Sequence, residues 1–202
     1  MSDVRRGRPR TFDTERVLDD AMDLFWRQGY RSTTTRDLEA SLGVTQSSLY
    51  HAFGSKAQLL DFALERYQTR LDHELLEPLR TGADGLEVID AFLAGLSAWL
   101  LADGTRGCLL GKMMSESDPP EPVVASRLAE WHDEIRAALT AALLRAAQAG
   151  EIHGDDVDDR VALIVGIVLG MNLAVNAGFG ELEVKAIGAA GRAEVARWRL
   201  SG

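Results

Sequence analysis

Apolar residues recur at helical spacing along almost the whole of this 202-residue chain, and that period leaves an all-α protein as the fold able to bury them. Strand signals are nearly absent, and glycine and proline mark the breaks between helices. Val17, Ala21, Leu24, Phe25 and Gln28 follow one stripe up to Gly29, while Phe12 and Val17 bracket Asp13 as a hydrophobic staple around an N-cap. The spacing predicts a first helix over 14–28.

Two short helices follow. Thr34-Thr35-Arg36-Asp37 reads as a capping box that opens a helix ending at Leu42, and Gly43 terminates it. Thr45 can cap a third helix, in which Leu49, Ala52 and Phe53 share one face. Ser55-Lys56-Ala57-Gln58 is a further capping box, starting a long helix through Leu60, Ala63, Leu64 and Tyr67 toward Pro78. Beyond it, helices are predicted near 86–102, 108–116, 121–149, 156–178 and 183–199, with Asp118-Pro119-Pro120 as one of the breaks.

Two short helices meeting at Gly43-Val44 match the helix-turn-helix plan, whose second helix enters the DNA major groove. With Leu49 facing the core at 100° per residue, Ser47 and His51 fall opposite it and Gln46, Ser48 and Tyr50 lie on the flanks. That arc carries hydrogen-bonding groups and no carboxylate. Gln46 suits adenine, the serines suit base or phosphate, and Lys56 at the start of the next helix suits a phosphate.

The net charge of −9 at first opposes a nucleic-acid partner, but its distribution reverses the argument. Residues 1–60 carry a net +1 and residues 61–202 a net −10. Arg5, Arg6, Arg8 and Arg10 form a basic arm against Asp3 alone, and Arg6-Gly7-Arg8-Pro9 looks like the core of an AT-hook. The expected organisation is therefore an arm over 1–10, a helix-turn-helix domain over 11–60 and a larger helical domain over 61–202.

Between these residues and the TetR family of bacterial transcriptional regulators there is a close resemblance. Phe12-Asp13, Ala21, Leu24-Phe25, Gly29-Tyr30, Thr33-Thr34, Arg36-Asp37-Leu38, Leu42-Gly43-Val44, Leu49-Tyr50-His51, Phe53 and Lys56 stand where that family's N-terminal signature has similar residues. The resemblance implies DNA contacts at Thr34, Thr45, Gln46, Ser48, Tyr50, His51 and Lys56, with the arm at Arg8 and Arg10 adding to them; Ser47 joins them by its place on the arc. Glu39 and Ser47 depart from the pattern, where members often carry alanine and glycine. The resemblance further implies a homodimer that reads a palindromic double-stranded operator as a repressor, released by a small-molecule effector held in the C-terminal domain.

For the effector pocket the candidates are Trp99, Cys108, Met113, Met114, Trp131 and Asn172, an apolar set with few polar groups. Cys108 at a helix start, near Arg106, also raises the reading of a reactive thiol, beside that of an inert core thiol. Val161 to Phe179 is nineteen residues without a formal charge, yet Asn172, Asn176 and the small residues at Gly166, Gly170, Ala174 and Gly178 favour a subunit interface over a membrane span. Val161, Ile164, Val168, Met171, Val175, Ile187 and Val195 are the residues expected there. His51, His73, His132 and His153 show no metal-ligand spacing, and neither a cofactor nor an enzyme signature is read. The single cysteine and the charged first 25 residues suggest a cytoplasmic chain. Two other readings stay open here, a helical ligand-binding or scaffold protein and, ranked last, a helical enzyme on hydrophobic small molecules.

Overall fold

A computed structural model of the chain describes residues 13–82, 85–105, 107–116 and 121–200. Arg8, Arg10 and the rest of the basic arm, Phe12 of the staple, Arg106 and the Pro119-Pro120 break lie outside the described residues. Ten α-helices run in order: α1 Thr14–Gln28, α2 Thr35–Leu42, α3 Gln46–Phe53, α4 Lys56–Leu71, α5 Glu77–Thr81, α6 Gly85–Thr105, α7 Leu109–Met114, α8 Pro122–Gln148, α9 Val157–Asn176 and α10 Glu181–Arg197. No strand occurs among the described residues.

The first four helices begin at side chains that satisfy free amides. Asp13 accepts from Arg16 N–H at 3.2 Å, Thr45 from Ser48 N–H at 3.3 Å and Ser55 from Gln58 N–H at 3.1 Å. Thr34 and Asp37 form the full reciprocal box, Asp37 N–H donating to Thr34 Oγ1 at 3.2 Å and Thr34 N–H to Asp37 Oδ2 at 2.7 Å. Gly43 then stops α2 in the left-handed region, at φ 66° and ψ 27°. Each of these signals lies within a few residues of the helix end that it sets.

Where the long fourth helix approaches Pro78, the structure differs from a simple stop. Residues Asp72–Leu76 form a wide π turn, and α5 continues beyond it with Pro78 in its first turn. A proline has no N–H to give and its ring crowds the carbonyl four residues back, so the helix shifts register upstream and resumes with proline where it is tolerated.

One hydrophobic core runs through head and body. In the head, α2 and α3 pack on α1 and α4 through Val17, Ala21, Phe25, Leu38, Leu42, Leu49 and Phe53, all buried. α4 crosses the expected division at residue 60 and also packs on α7 and α8. In the body, α6 lies against α8, α9 and α10. Gly85–Ala102 in α6 has the length and hydropathy of a membrane span, but it serves as a central packing helix here. α10 approaches closely at Gly188 and Gly191, where a Cβ would meet Ser97 Oγ and Ile167.

The facing of α9 and α10 corrects one expectation. Val161, Ile164, Val168, Met171 and Val195 are buried against the chain's own body, and Val175 and Ile187 are half-buried. None of the first five is available to a partner. A helix that is apolar all round carries no periodic signal of which side faces inward. The outward stripe is instead Leu163, Gly166, Leu169 and Leu173 on α9, continued by Phe179 and by Leu182 of α10. Gly166 and Gly178 have open space around them, whereas Gly170 faces Ile187 of α10 and Ala174 is buried within the chain.

α1 and α4 are also tied by charge. Arg66 donates to both oxygens of Asp19, at 2.6 and 2.7 Å, and reaches Glu15, while Arg70 also pairs with Asp19. The Arg66 guanidinium holds the Asp19 carboxyl below its ordinary value. A carboxyl lowered in the folded state stabilises the fold above about pH 4, and that contribution is lost as pH falls through the folded value. Urea midpoints measured from pH 5 to pH 3 should therefore fall, and Arg66→Gln should flatten that fall by lowering the midpoint at pH 5. The partly exposed network is worth about 1 kcal/mol.

Candidate nucleic-acid interface

The reading arc emerges from how α3 is fixed. Leu49 and Phe53 anchor it to the core, which leaves Gln46, Ser47, Ser48 and His51 exposed on the outward side and Tyr50 at its edge. Thr45 Oγ1 lies 3.0 Å from both Ser47 Oγ and Ser48 Oγ. Tyr50 OH lies 3.3 Å from Thr35 Oγ1, joining α3 to the first turn of α2. Thr34, Thr45, Gln46, Ser47, Ser48 and His51 thus share one exposed face with few carboxylates, suited to base edges and phosphates.

Glu39 was not expected to take part in this arrangement. Its carboxylate accepts from Gln46 N–H at 2.5 Å, so α2 caps the N-terminus of α3 across the turn. The only sequence signal was the departure from alanine at that position, since pairing across seven residues depends on the turn geometry.

Lys56 stands beside the arc with its Nζ 4.3 Å from the centre of the Tyr30 ring. Burial pulls its ammonium down, while Glu116, Glu121 and Asp37 pull it up. The aromatic face holds the charge beside the N-terminal turn of α4, whose free amides and positive dipole end suit the same anion that the ammonium would attract.

Head and body meet through α7. Lys112 Nζ donates to Trp26 O at 2.5 Å and Arg27 O at 3.2 Å, carbonyls in the last turn of α1. Glu116 accepts from Tyr30 N–H at 3.2 Å and Arg31 N–H at 3.1 Å. Tyr67 of α4 lies under the same junction: it is edge-on to Trp26, with ring centres 5.1 Å apart, and its hydroxyl accepts from Leu109 N–H at 3.4 Å.

The residues expected in one effector pocket divide between two cavities and the core. Cys108, Met114, Trp131 and Asn172 line a cavity of about 540 Å³ between α7, α8 and α9. Its walls are mainly apolar, and its size falls within the usual range of small-molecule sites. Asn172 donates to Val168 O at 2.9 Å, and its buried Oδ1 has no hydrogen-bond partner among the described residues. Met113 is core, and Trp99 lines a different cavity between α1, α4 and α6. Burial pushes the Cys108 thiol up, outweighing the Gly111 N–H and the Tyr67 hydroxyl, so the structure favours the inert thiol over the reactive one.

Known proteins share the sequence pattern and the fold of this chain. The family described as "Bacterial regulatory proteins, tetR family" matches residues 17–62, and "Tetracyclin repressor-like, C-terminal domain" matches residues 85–178. The uncharacterized HTH-type transcriptional regulator YezE of Bacillus subtilis is 31% identical over 153 residues, spanning 75% of this chain and 79% of that protein. The HTH-type transcriptional repressor ComR of Escherichia coli is 29% identical, spanning 86% of this chain and 84% of its own. Among solved structures, a cysteine mutant of the TetR family regulator CifR complexed with 26-base-pair operator DNA superposes with TM-score 0.82 at 24% identity, covering 95% of this chain and all of that one. A regulator from Chloroflexus aurantiacus superposes with TM-score 0.81 at 23% identity, covering 93% of this chain and 96% of its own. At these identities the two structures speak for the fold alone.

Proposed function

The chain belongs to the TetR family of bacterial transcriptional regulators, and on that premise we propose that it is a homodimeric repressor of a palindromic operator, released by a small apolar effector. The observation that carries the reading is α3: a polar, outward face with no carboxylate, docked from behind by Leu49 and Phe53 and flanked by Lys56. Thr34, Thr45, Gln46, Ser47, Ser48, Tyr50 and His51 would meet the groove, with Arg8 and Arg10 of the arm reaching the adjacent minor groove. Lys56 contributes a phosphate contact. Lys56→Ala should therefore weaken operator binding and reduce the salt slope by about one phosphate, read by fluorescence anisotropy between low and moderate salt. An unchanged slope would remove Lys56 from the interface.

A two-fold protein needs a self-complementary surface. Leu163, Leu169 and Leu173 of α9 with Leu182 of α10 supply one, Leu173 and Leu182 being 65% and 85% exposed. A monomer seldom leaves so continuous an apolar stripe to water. The double substitution Leu169→Glu and Leu173→Glu places four carboxylates in such a two-fold interface. Sedimentation velocity should show monomers for this variant and dimers for the parent; dimers in both would move the interface elsewhere.

The cavity between α7, α8 and α9 is the proposed effector site, with Asn172 Oδ1 awaiting a donor from an otherwise apolar ligand. Cys108, Gly111, Met114 and Ser115 of the α7 segment line it, while Lys112 and Glu116 of the same segment grip the end of α1 and the turn after it. A ligand that displaces α7 would move the head with it, which supports an allosteric release. The domain division then falls within α4, which belongs to head and body together.

A further inference from the structure

Glu39 is half-buried on α2 and is tied to both sides of the turn that joins α2 to α3. Its carbonyl accepts from Gly43 N–H at 3.0 Å, where α2 ends, and its carboxylate Oε1 accepts from Gln46 N–H at 2.5 Å, at the first residue of α3. These two bonds fix the carboxylate at the groove end of α3. The N-cap of α3 is already supplied by Thr45, whose Oγ1 accepts from Ser48 N–H at 3.3 Å. Glu39 Oε2 has no hydrogen-bond partner among the described residues. A carboxylate anchored by one oxygen, with the other open, stands beside exposed Gln46 and Ser47.

The chemistry of base edges decides what the open oxygen can meet. In a helix-turn-helix the first residues of the second helix approach base edges in the major groove. A carboxylate only accepts hydrogen bonds. Guanine offers the acceptors N7 and O6 there and thymine offers O4, so both oppose it. Adenine offers the N6 amino group beside the acceptor N7, whereas cytosine offers its N4 amino group with no acceptor beside it. A pair without a donor would leave the desolvated carboxylate unanswered. The Gln46 amide and the positive end of the α3 dipole offset part of its charge, which reduces its cost near phosphates.

We propose that Glu39 is a specificity-determining residue of the operator contact, its free carboxylate oxygen accepting from the N4 amino group of a cytosine and so requiring a C·G pair at one position of each half-site. This role rests on the docking of α3 in the repressor reading and adds to the reading arc a residue from α2. It acts by exclusion more than by attraction, because the phosphates repel the carboxylate whichever base it faces.

Selection from random duplexes by the full chain gives the half-site, and anisotropy then compares all four base pairs at every half-site position for the parent, Glu39→Ala and Glu39→Gln. The parent should favour C·G over the other three pairs at one position by at least about tenfold. Glu39→Ala should bring the four pairs at that position within about threefold and keep the discrimination at all others. Glu39→Gln can still accept from the Gln46 amide but turns an amino group to the base, so it should lose the cytosine preference as well. A residue that served only to hold α3 would, once removed, weaken every duplex by a common factor and leave each preference as it was. That outcome, or a parent without the cytosine requirement at any position that Glu39→Ala alters, would overturn the proposal while leaving the repressor reading intact. A parent that selects no half-site at all would overturn both.

Discussion

Ser47→Glu should abolish operator binding, lowering affinity by at least about a hundredfold, or about 2.7 kcal/mol, with no loss of stability. Ser47 is exposed at the second position of α3, on the side opposite Leu49. In the proposed docking its side chain enters a groove bordered by phosphates, and a carboxylate there meets like charge across a partly desolvated interface. The same carboxylate sits favourably for the helix itself, because acidic groups in a first turn oppose the positive end of the dipole. Weak binding of a well-folded variant would therefore report on the interface and not on the fold. Ser47→Ala, which removes only a hydroxyl, should cost a few-fold at most. Anisotropy titrations beside urea melts separate the two effects, and a Ser47→Glu protein that binds like the parent would take α3 out of the groove.

The largest stability loss is expected at Tyr67, where Tyr67→Ala should cost about 3–5 kcal/mol. The ring is fully buried at the meeting of four helices. It touches Trp26 of α1 and Trp99 of α6, and its hydroxyl accepts from Trp99 Nε1 and from Leu109 N–H at the start of α7, each at 3.4 Å. Truncation opens a cavity and leaves the buried Leu109 amide unpaired. Tyr67→Phe keeps the volume and loses only the hydroxyl, so about 1 kcal/mol is expected from it. Urea denaturation gives both numbers; similar small losses for the two variants would mean that the ring is not the packing centre of the junction.

The two expectations differ in how much of their basis could be read from the chain itself. Helix ends in the head were legible because Asp13, Thr34, Thr45, Ser55 and Gly43 act on amides and carbonyls within three or four residues. The outward arc of α3 was legible because Leu49 and Phe53 leave a single way to orient an eight-residue helix. The facing of α9 was not. Leu163 and Leu169 are as apolar as Ile164 and Val168, and only packing against α6, α8 and α10 decides which pair is buried. The same limit separates Trp99 from Trp131, since two aromatic residues on different helices carry no mark of which cavity each lines.

Pairings across long sequence distances were equally hidden. Glu39 with Gln46, Arg66 with Asp19 and Lys112 with the carbonyls of Trp26 and Arg27 satisfy groups whose need for a partner is predictable but whose partner is not. At Cys108 two local readings, a reactive and an inert thiol, stand side by side in the chain, and burial decides for the inert one. A helix start favours the thiolate, but burial opposes it more strongly. Local rules of this kind hold only while solvent exposure is unchanged.

Selection from a pool of random duplexes by the full-length chain tests the central claim most directly. A homodimer presenting α3 twice predicts enrichment of an inverted repeat, its half-sites about one helical turn apart, and loss of that enrichment with Ser47→Glu. Recovery of no consensus, or of a single unrepeated site equally retained by Ser47→Glu, would contradict it.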